Sequence, residues 1–170
     1  MQPWRELPET EEVQVWDRFN HRFDFDPRRR PAIMEPVPSI TYTIGRIYSP
    51  DQSRRHSLEV DLNLKTLDAL CQCTGRQERI YTLDWQHPCY SLYPHYSFAA
   101  EDVNAWNVPV LPDGDYYIFL AEDFRFGLFG HPWEETICVF GQELLDAFAS
   151  ALPLIFDTVI RKNGAPTDSV

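Results

Sequence analysis

Lysine is scarce in this chain, which has only Lys65 and Lys162. Schiff-base chemistry and lysine-gripped phosphate therefore have little to draw on. No Gly-x-x-x-x-Gly-Lys segment is present and no Gly-x-Gly-x-x-Gly follows a strand pattern, which removes two common nucleotide signatures. Gly127-Leu128-Phe129-Gly130 puts bulky side chains between its glycines, a poor cradle for phosphate. Histidine pairs of the His-x-His, His-x-x-x-His and His-Glu-x-x-His kinds are missing too. No apolar run approaches the roughly 18–20 residues that span a bilayer. The opening Met1-Gln2-Pro3-Trp4-Arg5-Glu6 lacks the basic-then-apolar order of a signal peptide. A cytoplasmic protein without membrane contact is expected. Its four cysteines, Cys71, Cys73, Cys89 and Cys138, are then expected as free thiols. Cys71 and Cys73 stand too close for a zinc knuckle, and no second close pair exists.

Positive charge is also short, and unevenly so. Residues 86–170 carry 3 Lys/Arg against 12 Asp/Glu, a net of −9, whereas residues 1–85 carry 12 against 14, a net of −2. Between Gln86 and Ile160 the only Lys or Arg is Arg125. A chain of net charge −11 is poorly suited to nucleic acid, whose binding depends on releasing counterions from phosphates. Such a distribution is met by a solvated surface kept soluble by repulsion, or by an acidic face that receives a basic partner.

What is abundant is apolar and aromatic. Hydrophobic residues make up 44% of 170 and aromatics 14%, enough for one core built on large rings. A first helix is expected from a Thr10 cap to Asp26-Pro27, with Val13, Trp16, Phe19 and Phe23 inward. Strands are expected at residues 40–44, 58–60, 79–85, 89–93, 116–120 and 136–140. Tyr116 to Leu120 is almost wholly apolar and should be central. A second helix is expected over 64–71, capped by Asp61 or Asn63 and stopped near Gly75. A third begins at Gly141, with Pro153 kinking or splitting it before Ile160. The fold class is α+β, a mostly antiparallel sheet of about five or six strands with three helices packed on it. Residues 1–162 are expected as a single domain and 163–170 as a disordered C-terminal tail.

Two blocks carry the candidate chemistry. One spans residues 84–95 and holds Asp84, Trp85, His87, Cys89 and His95. The other spans 113–135 and holds Asp113, Asp115, Asp123, His131, Trp133, Glu134 and Glu135. His87, His95 and His131 with Asp115 or Glu134 would be the acid and base groups of an enzyme, and the same histidines with Asp84, Asp115 or Glu134 would supply metal ligands. A three-ligand metal site needs these to converge in space, which their spacing does not require, and neither metal nor cofactor is expected. Asp113-Gly114-Asp115 reads first as a turn and only second as a pair of catalytic carboxylates. Cys138 lies in the apolar run Ile137-Cys138-Val139 and reads as a small core residue. Arg28-Arg29-Arg30 is a basic loop.

The longest motifs are Leu83-Asp84-Trp85-Gln86-His87-Pro88, Pro112 to Leu120, and Phe129-Gly130-His131-Pro132-Trp133-Glu134 running into Thr136 to Gly141. On these, and on Trp16-Asp17-Arg18-Phe19 and Glu35 to Ser39, the chain resembles a bacterial family of domains of unknown function, family 2716. The resemblance implies no activity, cofactor or catalytic residue. Two readings follow from the residues themselves. One is a non-catalytic protein-binding domain, immunity- or antitoxin-like, whose acidic face meets a basic partner through Trp85, Asp123, Trp133, Glu134 and Glu135. The other is a small hydrolase-type enzyme using the two blocks. Oligomeric state has no marker in the sequence.

Overall fold

The computed structural model describes Met1 to Asp168. Three α-helices lie among these residues: α1 (Glu9–Phe23), α2 (Gln52–Cys73) and α3 (Gln142–Ser150). Nine strands form one sheet: β1 (Trp4–Glu6), β2 (Ser39–Thr43), β3 (Ile80–Asp84), β4 (Tyr90–Leu92), β5 (Tyr117–Ala121), β6 (Gly127–His131), β7 (Thr136–Phe140), β8 (Thr158–Lys162) and β9 (Ala165–Pro166). Their order is β1-β4-β3-β5-β6-β7-β2-β8-β9, and every pairing is antiparallel. The class is α+β as expected, but the sheet has nine strands rather than five or six.

The extra strands have physical causes. Residues 127–131, readable as a glycine-punctuated connection, form β6. A side chain at Gly127 would meet Phe119 O at 2.5 Å and the Phe140 ring at 2.6 Å, so glycine is there to let a crowded strand into the sheet. Residues 154–160, expected to prolong the last helix, instead run into β8, because α3 already ends at Ser150. The tail expected to be disordered over 163–170 folds back in its first part. Asn163 and Gly164 take positive φ (52° and 77°), the conformation of a tight hairpin turn, and bring β9 against β8. Ser169 and Val170 lie outside the described residues. Leu58 and Val60, expected in a strand, lie within α2. Asp51 caps that helix, accepting from Ser53 N at 3.1 Å and Arg54 N at 3.3 Å; Pro50-Asp51 signals a turn and a helix start alike.

The sheet is covered on both faces. Alternate residues of its central strands face different cores. On one side Ile80, Phe119, Leu128 and Val139 pack with Leu62 and Leu70 of α2 and Leu144 and Phe148 of α3. On the other Leu83, Ile118, Leu120, Phe129 and Phe140 pack with Val15, Phe19 and Phe23 of α1. β5, paired with β3 and β6, is the central apolar strand that its composition requires. α1 departs from expectation in its start and its face. Its N-cap is Pro8 and makes no side-chain cap bond, Val13 is exposed, and Trp16 is only half-buried. Among the described residues no helix is long and apolar enough to cross a membrane. All four cysteines are free.

The two rings of α1 should therefore behave differently. Phe19→Ala removes a fully buried ring and should cost about 3–5 kcal/mol, whereas Trp16→Ala should cost only about 1–2 kcal/mol. Urea melts of the two variants check this; equal losses would place Trp16 in the core.

Candidate functional site

The end of the sheet where β3 finishes, β5 begins and β6 turns into β7 gathers most of the sequence-flagged residues. Antiparallel pairing aligns Asp84 with Tyr117, Tyr117 with Gly130, and His131 with Thr136. The chain therefore enters or leaves the sheet at one level, and polar side chains sit where the doubly buried strands end. Tyr116 is the hub. Its ring lies 5.7 Å from Trp85, 5.2 Å from Trp133 and 4.9 Å from His131 between centroids. Its hydroxyl donates to Pro27 O at 2.9 Å, which ties down the Arg28–Arg30 loop.

His131 is buried beneath this loop. Its Nδ1 accepts from Glu134 N at 3.1 Å, and its Nε2 faces Arg29 O at 3.4 Å. Burial pushes its pKa down, so it serves as a neutral brace for the β6–β7 turn. Glu134 is equally committed. Arg161 grips both of its oxygens, at 2.7 and 2.8 Å, and Thr136 Oγ1 donates at 2.9 Å. Burial alone would raise the Glu134 pKa, but the Arg161 bonds outweigh it and hold the carboxyl below its ordinary range. The same guanidinium holds buried Glu35 at 2.8 and 2.9 Å, and Thr41 Oγ1 donates to Glu35 at 2.9 Å. Glu134 thus belongs to a buried acid–arginine–acid cluster, and neither Glu35 nor Arg161 has a local sequence signal, being 126 positions apart.

With this brace, the turn presents Trp133, 53% exposed, and Glu135, exposed with φ 56°. Trp85 is half-buried close by, whereas Trp106 is core. Asp123 and His95 belong to the opposite end. Asp123 sits in the β5–β6 turn, bonded to Arg125 at 3.1 Å. His95 follows β4, with Nε2 2.8 Å from Thr74 O. The three histidines therefore do not converge. Neither Cys89 nor Cys138 offers a thiolate, since burial pushes their pKa values to about 11 and about 12.

What does converge is Asp84, His87 and Asp115. His87 Nδ1 is 2.9 Å from Asp84 Oδ1 and 3.6 Å from Asp115 Oδ2. Both carboxylate side chains are over nine-tenths buried, at 9% and 7% exposure, whereas His87 is 63% exposed. Burial pushes the Asp115 carboxyl up, with the adjoining Asp84 adding to the effect. The hydrogen bond to Asp84 raises the His87 pKa.

His87 also borders a cleft of about 550 Å3 between β3 and the start of α1, lined by Glu6, Glu9, Glu12 and Trp85 and by no Lys or Arg. A second hollow of about 450 Å3 shares Glu12 and Trp85. This acidic concavity comes from the N-terminal half, where net charge alone gives little sign of it. Half of the 12 acids of the C-terminal half are instead paired with arginines: Glu122 with Arg79 at 2.7 Å, Asp113 with Arg55, Asp157 with Arg46, Glu143 and Asp123 with Arg125, and Glu134 with Arg161.

A sandwiched antiparallel sheet with a braced aromatic end defines this protein as an α+β domain with its polar groups gathered beside an acidic cleft. The chain belongs to the family described as "Protein of unknown function (DUF2716)", which matches residues 6–145. It is 36% identical over 159 residues to "Uncharacterized protein YxiI" of Bacillus subtilis (strain 168), covering 92% of this chain and 98% of that one. No solved structure matches.

The buried cluster makes two predictions. Arg161→Met strands Glu35 and Glu134 and should cost about 3–5 kcal/mol, while Asp123→Lys at the exposed turn should change stability by under about 0.5 kcal/mol; denaturant melts compare them. The pH dependence follows from the shift directions. His131 has its folded pKa below 6.5, so its contribution is present above 6.5 and is lost as pH falls toward the folded value. Glu134 is held below 4.5, so its contribution is lost only at lower pH. Urea midpoints of wild type and His131→Gln, measured from neutral to acid pH, should differ in slope just below 6.5 and run parallel above it.

Proposed function

We propose that this chain is a non-catalytic protein-binding domain, immunity- or antitoxin-like and cytoplasmic, that receives a basic group of a protein partner in the cleft beside α1. The observation that carries this reading is the lining of that cleft: three glutamates and an indole with no guanidinium or ammonium among them. Glu6 and Glu9 have no ion-pair partner among the described residues, and Glu12 accepts only from Cys89 N at 3.3 Å. The α1 N-terminus contributes about half a positive charge, which three carboxylates outweigh. A lysine or arginine entering the cleft would meet these carboxylates and the face of Trp85, a pairing worth about 0.5–2 kcal/mol in addition to charge. Trp133 lies one ring beyond Tyr116 on a turn already held in place, and a rigid exposed indole is a favourable interface anchor.

A second reading, a small hydrolase, is favoured by the convergence of Asp84, His87 and Asp115. Against it stand the protonated thiols and the engagement of His131 and Glu134 in bracing contacts.

The test uses the wild-type chain and the Glu6→Gln/Glu9→Gln/Glu12→Gln variant as parallel baits in extract of the native host, with captured proteins quantified. A basic protein should be retained by wild type at about 50 mM salt, and released by the triple variant or at about 500 mM salt, where charge steering is screened. Trp133→Ala should weaken the same capture. A neutral or acidic partner, or equal retention by the triple variant, would overturn the reading.

A further inference from the structure

We propose that Asp84, His87 and Asp115 form a binding site for one divalent cation of the manganese or zinc class, opening onto the acidic cleft at His87. This inference stands apart from the protein-binding reading. It begins from a contrast between two pairs of buried carboxylates. Glu35 and Glu134 share a permanent counter-charge, Arg161, with bonds of 2.7–2.9 Å to both. Asp84 and Asp115 adjoin each other at similar burial, yet among the described residues the one basic group in ion-pair reach of either is His87. Two neighbouring carboxylates withdrawn from water repel each other and lose solvation unless a cation or a shared proton lies between them.

The free valences point the same way. Asp84 Oδ1 accepts from His87 Nδ1 and, at 3.4 Å, from Gln86 N. Asp115 Oδ1 accepts from Tyr116 N at 2.8 Å. Beyond these, the two carboxylates have each other and the His87 ring as polar neighbours, Asp115 Oδ2 lying 3.6 Å from His87 Nδ1.

Geometry and donor chemistry select the ligand. One donor atom from each residue lies within 4.8 Å of the others. An ion bound at about 2.1 Å keeps its ligands within about 4.2 Å of one another, so the set closes through side-chain shifts of less than about 1 Å. Asp84 ends a sheet-bound strand and Asp115 lies two residues before the start of another, so the carboxylates are preorganised, and exposed His87 is the arm that closes. Two oxygens and one imidazole nitrogen suit manganese or zinc, whereas calcium requires six to eight oxygens. Three protein ligands leave coordination positions open on the solvent side of His87, which borders the cleft.

The experiment titrates chelator-stripped full chain with MnCl2, following free Mn2+ by electron paramagnetic resonance, and with ZnCl2 by calorimetry. One equivalent should bind, and the melting temperature should rise with metal concentration because the ion binds only the folded site. Asp115→Asn and His87→Ala should each weaken binding by at least about tenfold; Asp113→Asn, in the neighbouring turn, should leave it unchanged. His87 is exposed, so its variant keeps the fold, and circular dichroism confirms this for all three. Absence of binding at about 1 mM of either metal, or wild-type affinity in the Asp115 and His87 variants, would overturn the site. In that case a proton shared between the carboxylates remains as the means by which they are accommodated. Neither outcome bears on capture of a protein partner.

Discussion

A strand buried on both faces has room for charged side chains only at its ends. β5 is such a strand: Ile118 and Leu120 face α1, and Phe119 and Ala121 face α2 and α3. Its neighbours β3 and β6, and β7 beyond β6, are buried throughout. This constraint explains why chemistry collects where it does. Asp115 precedes the first residue of the strand pairing, Asp84 is the last residue of β3, and His131 the last of β6. They lie at one level because antiparallel pairing matches strand ends to strand starts. Tyr116 performs the closing role there. Its ring caps the apolar layer, and its hydroxyl takes the loop carbonyl of Pro27 that would otherwise need water.

Burying acids at a strand end sets an electrostatic problem that the protein solves in two ways. On the β7–β2–β8 side the solution is a guanidinium, always charged and able to fork between Glu35 and Glu134. Removing one partner there leaves charge without compensation, which is why the cluster ties the β6–β7 turn to the far edge of the sheet. On the β3–β5 side the solution is incomplete. An exposed imidazole touches both carboxylates but is charged only when protonated. Stability alone favours a second arginine at such a place.

Much of this arrangement was legible in residue order, and the remainder fails for identifiable reasons. Tyr116 to Leu120 announces a central strand, and Ile40 to Ile44 and Thr136 to Phe140 alternate or run apolar as sheet residues do. The block from Asp84 to His87 and the turn from His131 to Glu135 stand out by their aromatics and histidines, and both reach the site. β6 was hidden because glycines mark turns more often than crowded strands. β8 and β9 are announced by Asn163-Gly164, a strong hairpin signal, but Leu154-Ile155-Phe156 before it resembles a continuing helix. In α1 the buried stripe is Val15, Phe19 and Phe23, spaced by four, which leaves Val13 outward and Trp16 at its margin, and the helix starts after Pro8 rather than at a Thr10 cap. Asp84 and Asp115 are 31 positions apart and Glu35 and Arg161 are 126, distances at which pattern carries no information about contact.

Charge shows most clearly how folding rewrites a linear reading. The acid excess of residues 86–170 suggests a face, yet Arg46, Arg55 and Arg79 from the first half reach across to Asp157, Asp113 and Glu122. Such exposed pairs contribute little to stability singly, but they cancel the long-range field that their acids would project. Several clefts elsewhere carry guanidiniums of their own, with Arg18 and Arg22 beside Asp123, and Arg55 beside Glu59. The two hollows sharing Glu12 and Trp85 have none. Local potential depends on charges within about 8 Å at physiological salt, so within the cleft Glu6, Glu9 and Glu12 count for more than the larger, half-paired excess of the second half. The acidic feature therefore lies beside the Asp84–His87–Asp115 group, at the same end of the sheet as Trp133, where the fold leaves carboxylates without a guanidinium or ammonium beside them.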